Sequence, residues 1–128
     1  MQKNLTLEHQ EQSEIITYRP KFVALNVKDT IKVIAVEDIV YLESRGRFTT
    51  LHFNNKNNVT VSKNLGHFEG LFKNNHFLRI HHSFLINVAY LINIIKDGGG
   101  QYCEMNYVSQ TLPISNRRFS FVKKYLHY

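Results

Sequence analysis

The sequence predicts a mostly β domain with a few short helices. Three observations carry that expectation. From Phe22 onward, β-branched and aromatic residues alternate with polar ones in short runs. Turn-forming residues punctuate these runs at Lys28-Asp29, at Gly46, in the cluster Asn54-Asn55-Lys56-Asn57-Asn58 and at Gly98-Gly99-Gly100. Few stretches place apolar residues at the three- and four-residue spacing of a helix.

Residues 1–20 are rich in Gln, Glu, Asn and Thr and read as a linker or flexible N-terminal arm; the domain occupies 21–128. Strands are expected at 22–27, 31–36, 39–42, 48–53 and 59–61, with the asparagine cluster as a hairpin loop. Ser62 or Asn64 then caps a short helix whose apolar face is Leu65, Phe68, Leu71 and Phe72. Gly66 and Gly70 weaken that helix by up to about 1 kcal/mol each relative to Ala, so packing against the sheets must hold it. Strands resume at 77–80, and Asn87 caps a helical turn over 88–91. Further strands follow at 91–96, 101–106 and 111–114, before Ser115 starts a C-terminal helix with Phe119, Val122 and Leu126 on one face.

The 128 residues form one domain by size, with a formal net charge of +6. From residue 21 onward, 14 basic residues face 7 acidic ones, a net of +7. Such a balance fits an anionic partner or a merely solvated basic face. The lone Cys103 excludes an internal disulfide and reads as a small buried hydrophobe; no Cys/His cluster marks a metal site. No apolar stretch approaches the roughly 18 to 20 residues that span a bilayer, and the polar N-terminus lacks a signal peptide, so a cytoplasmic location is expected. HExxH, GxSxG, P-loop and paired-carboxylate patterns are missing, which argues against an enzyme; no cofactor is expected.

Three segments are candidates for contact with an anion. In an extended 77–84, Phe77, Arg79, His81 and Ser83 point one way and Leu78, Ile80, His82 and Phe84 the other. Adjacent His81 and His82 then cannot share a metal, and the segment delivers Arg79, His82 or Ser83 to a surface at its turn. Arg79 is equally able to tie to a carboxylate, and His81 reads as a satisfied core histidine. The loop Ser44-Arg45-Gly46-Arg47-Phe48-Thr49 frames a glycine with two guanidinium groups, as a phosphate- or guanine-reading loop does and as many solvated turns also do. Arg117 and Arg118 stand in the first turn of the C-terminal helix, where the macrodipole disfavours cations by a few tenths to about 1 kcal/mol. An arriving phosphate or base edge would account for them; so would solvent exposure or pairing with a carboxylate such as Glu43.

Phe77, Arg79, His81, Ser83 and Asn87 together resemble the central motif of the LytTR family of bacterial DNA-binding domains. Two flanking runs extend the resemblance over 21–127: Asp38-Ile39-Val40-Tyr41-Leu42-Glu43 upstream and Leu112-Pro113-Ile114-Ser115-Asn116-Arg117-Arg118 downstream. His82 stands where the family often has Arg or Lys. The resemblance implies an elongated β-sheet domain whose loops enter successive major grooves and bend the duplex. It implies the output domain of a two-component transcriptional regulator, with a receiver domain upstream and double-stranded DNA, as paired direct repeats, for a partner. A homodimer on DNA follows from paired repeats. Carried over, the contacts are Thr49 with Arg45 and Arg47 nearby, His82 beside Ser83, and Arg117 beside Asn116. Arg45, Arg47, Lys63, Arg79 and Arg118 would hold the phosphates. The competing reading is a β-rich RNA- or protein-binding module with Phe48, Tyr102 and Tyr107 as stacking platforms.

Overall fold

Residues 18–128 are described in the structure, a computed structural model. Local alternation of apolar and polar residues resolves into ten strands, among the described residues, grouped in three antiparallel sheets. β1 (Phe22–Val27) and β2 (Thr30–Ala35) form a hairpin. β3 (Ile39–Arg45), β4 (Phe48–Phe53), β5 (Asn58–Val61), β6 (Phe77–His81) and β7 (Phe84–Asn87) form a five-stranded sheet in the order β5-β4-β3-β7-β6. β8 (Leu91–Asp97), β9 (Gly100–Met105) and β10 (Leu112–Ile114) form a third sheet in the order β10-β9-β8. Helix α1 (Leu65–Leu71) links β5 to β6, and α2 (Asn116–Tyr125) closes the domain. The expectation of a mostly β fold with short helices and a C-terminal helix holds.

The five-stranded sheet is the middle layer, with a core on each face. Ile39, Leu42, Leu51 and Leu85 join Val23 and Leu25 of β1 and Leu65, Phe68 and Phe72 around α1. Val40, Tyr41, Ile80 and Ile86 join Cys103, Met105, Leu112, Ile114 and Val122 of α2 in the other. A strand buried on both faces carries apolar residues at consecutive positions, which explains the unbroken Ile39-Val40-Tyr41-Leu42.

Several local expectations are resolved here. Asn64, not Ser62, caps α1: its side chain accepts the His67 N–H at 2.9 Å. Leu65, Phe68 and Phe72 are buried, whereas Leu71 is 38% exposed. At 100° per residue Leu71 falls well off the stripe formed by the other three, so it is removed from the expected apolar face. Asn87 caps the turn Val88–Tyr90 by accepting the Ala89 N–H at 3.1 Å, and donates to the Ile39 carbonyl at 2.9 Å.

The expected face alternation of 77–84 holds only to Ile80. Phe77 enters one core while Leu78 and Ile80 reach the other. An irregularity in the β6–β7 register between Arg79 and His81 then ends the alternation, and residues 82–83 turn into β7, a strand not separated in the sequence reading.

The expected N-terminal arm lies, up to residue 17, outside the described residues. At Tyr18 and Pro20 the chain is already attached, its carbonyls accepting from the Asn74 and Asn75 side chains at 2.9 Å.

Candidate nucleic-acid interface

Antiparallel pairing places every second connection at the same end of a sheet. β3 and β4 meet at Arg45 opposite Phe48, and Thr49 lies opposite Val61, the last residue of β5. Glu43 lies opposite Phe84, and the Ser44 N–H donates to the Ser83 carbonyl at 2.9 Å. The 45–48 turn, the 62–64 segment and the 82–83 turn therefore share one end of the five-stranded sheet. The start of α2 comes to the same end because the Ser115 N–H donates to the Ile80 carbonyl at 2.9 Å.

Gly46 adopts a φ of +64° with open space where a Cβ would stand, so the turn geometry itself calls for glycine. Arg45 is exposed and 3.7 Å from Glu43, and Arg47 is exposed beside it. Thr49 is fully buried, its hydroxyl donating to the Lys63 carbonyl at 2.6 Å. That removes Thr49 from the expected direct contacts: it ties the 45–48 hairpin to the Lys63 segment from inside. The Lys63 side chain is exposed.

Arg79 is likewise turned inward, with only 11% of its side chain exposed. Its Nε donates to the His81 carbonyl at 2.8 Å, its Nη2 to the His82 carbonyl, and its Nη1 to Glu69 Oε1 at 2.7 Å. A guanidinium that binds three acceptors and is nearly buried braces the turn and does not present itself to a phosphate, in contrast to the role expected for it. The turn presents His82, which is exposed, and Ser83, which is partly buried.

His81 Nδ1 accepts the Ser83 N–H at 3.0 Å, which requires a neutral ring. Burial first, then the nearby His82, Arg79 and Arg118, hold its pKa below the ordinary histidine value.

At the start of α2, Asn116 and Arg117 are exposed, and Arg117 makes no ion pair among the described residues. Arg118 is partly buried, with Nη1 3.9 Å from Glu69 Oε2. Ser115 makes no side-chain cap, leaving its hydroxyl out of the helix terminus. Glu43, the carboxylate expected as an alternative partner for these arginines, instead pairs with His52 at 3.2 Å and Arg45 at 3.7 Å. The sequence reading missed Glu69, for a solitary carboxylate on a short helix gives no local signal of the two arginines that reach it.

The aromatic platform of the competing reading does not assemble. Phe48 is exposed at the 45–48 turn. Tyr107 packs edge-on to Tyr90, whose hydroxyl binds the Glu37 carbonyl and receives the Asn54 amide, at the opposite end of β3 and β4. Tyr102 is partly buried within β9.

The family model described as the LytTr DNA-binding domain matches residues 29–127. The chain belongs to the LytTR family of DNA-binding domains. A solved structure, the LytTr DNA-binding domain assigned to a methyl-accepting/DNA response regulator from Bacillus cereus, shares the fold. It superposes with a TM-score of 0.73 at 24% identity, covering 85% of this chain and 99% of the other. A comparison with curated proteins gives no match.

In this LytTR domain the central motif mostly builds the end of the sheet that carries the candidate interface. Phe77 fills the core, Arg79 braces the turn, His81 orients Ser83, and Asn87 ties β7 to β3. The exposed side chain at the turn is His82, which the motif surrounds.

Proposed function

We propose that this LytTR domain binds double-stranded DNA sequence-specifically through the loops at one end of the five-stranded sheet, entering the major groove. It would act as the cytoplasmic output domain of a two-component transcriptional regulator, with two protomers on paired direct repeats and a receiver domain upstream. The observation that carries the reading is the convergence of Arg45, Arg47, Lys63, His82 and Arg117, exposed side chains from four separate segments, at one end of one sheet. Hydrogen bonds fix the loops there: Thr49 to Lys63, Ser44 to Ser83, and Arg79 to its own turn.

Arg117 is the base reader, because it is exposed at a helix N-terminus and a bidentate Arg–guanine pair contributes roughly 1 to 3 kcal/mol of discrimination. His82 meets a base edge or, when protonated, a phosphate. Arg45, Arg47, Lys63 and Arg118 contact phosphates and set the register, with Asn116 and Ser83 beside them. Four phosphates neutralised give a slope of log affinity against log salt near about −4. Selection of duplexes from a random library tests the reading. Enrichment of a short repeated motif, lost in Arg117→Ala, is expected. Equal, weak binding to every polyanion would overturn it.

A further inference from the structure

Glu69 is the one carboxylate, among the described residues, that two arginines of different elements, β6 and α2, approach. Its Oε1 lies 2.7 Å from Arg79 Nη1 and its Oε2 lies 3.9 Å from Arg118 Nη1. Arg79 in turn holds the carbonyls of His81 and His82. Arg118 opens α2, next to the exposed Arg117. A single side chain on α1 thus joins the 82–83 turn to the start of α2, which the Ser115 N–H also ties to β6 at the Ile80 carbonyl.

Its charge has a second consequence. A carboxylate at this end of the sheet repels a polyanion and competes with phosphate for Arg118, which is only 23% exposed in its side chain. The bond to Arg79 is short and that residue is well buried, whereas the approach to Arg118 is long. Arg118 is therefore the arm that an arriving phosphate takes, while Arg79 stays.

We propose that Glu69 is a positioning residue that lowers affinity for DNA in general and raises discrimination between sequences, by fixing the spacing of the 82–83 turn and the α2 start while restraining Arg118. The inference rests on the DNA-binding reading above.

The test compares wild type and Glu69→Gln on two probes, the duplex that wild type selects and a scrambled duplex of equal length, each over a salt series. Glu69→Gln keeps an acceptor for Arg79 but removes the charge. Affinity for the scrambled duplex is expected to rise on the order of threefold, as Arg118 reaches phosphate without first leaving a carboxylate. The ratio of selected to scrambled affinity is expected to fall about fivefold or more, the loss of one well-oriented base contact. In an Arg118→Gln background the rise on scrambled DNA should shrink to the part that the lost repulsion of the carboxylate supplies.

Should Glu69→Gln fail to fold, Glu69→Asp reads the same ratio. It keeps the charge but is one methylene too short to span both arginines, so discrimination falls without a gain on scrambled DNA. An unchanged ratio overturns the proposal. So does an equal fall on both probes together with a lowered Tm, which is the signature of mere fold support. Wild type that does not discriminate between the probes would overturn the DNA-binding reading and this proposal with it, whereas a discriminating wild type with an unchanged variant ratio overturns the role of Glu69 alone.

Discussion

Arg79→Lys separates the geometry of this interface from its charge. Lysine keeps the positive charge and can still reach toward Glu69, but a single terminal nitrogen cannot reproduce the fork that binds the His81 carbonyl, the His82 carbonyl and Glu69 together. Hydrogen bonds from a charged donor contribute roughly 1.5 to 3 kcal/mol each. His82 is exposed and its carbonyl regains water, so the main loss is at the partly buried His81 carbonyl. The expected destabilisation is about 2 kcal/mol, or roughly 8 to 10 °C in Tm for a domain of this size. Thermal unfolding measures that directly. With the net charge unchanged, the salt slope on scrambled DNA should match wild type, while affinity for the selected duplex falls as the His82 turn loosens. Arg79→Lys with wild-type Tm and wild-type discrimination would refute the reasoning, since Arg79 would then be acting as a point charge.

Three further predictions follow from buried groups. Thr49→Val removes the hydroxyl that donates to Lys63 and should cost about 1 kcal/mol in urea unfolding with base preference unchanged; altered preference at full stability would restore Thr49 as a contact. His81 has a folded-state pKa below its unfolded value of about 6.5, chiefly through burial, so in the window between them the unfolded chain binds more protons. Its contribution to stability is complete above about pH 6.5 and is lost as pH falls through the folded value. His52, lowered mainly by burial, acts in the same direction. His81→Asn, whose Oδ1 can stand in for Nδ1, should flatten part of the acid-side decline in urea midpoint, and an identical decline in variant and wild type would contradict this. Burial pushes the Cys103 thiol up to about 12. Disulfide reagents at pH 8 should accordingly label the native protein about a thousandfold more slowly than the unfolded one, and rapid stoichiometric labelling would show the site to be open.

The elements that local chemistry specifies were legible in the sequence. Alternation marked β1 and β4 to the residue, turn-forming residues marked their hairpins, and the three-and-four spacing marked α2. The cap at Asn87 was also legible, because an Asx side chain two residues before a free N–H acts within its own turn. Less legible was the break between β6 and β7, since His82-Ser83 carries no glycine, proline or asparagine to announce a turn. Leu71 was misplaced for a similar reason: a seven-residue helix gives too few positions to fix the centre of its apolar stripe.

The candidate interface divides along the same line. Its segments at Arg45 to Arg47, His82 and Arg117 were visible in the sequence, as residue types that turns and a helix start do not need for stability. Which of their neighbours face outward was not. Thr49 and Arg79 point inward because of Lys63, fourteen residues away, and Glu69, ten residues away. Sequence by itself determined the family, the order of elements and the kinds of side chain the loops carry, because periodicity, caps and turns act between residues a few positions apart. Only the tertiary structure decided that four loops share one end of a sheet, that two expected contacts are braces, and that Glu69 joins them, because those outcomes depend on strand pairing and on hydrogen bonds between residues distant in the chain.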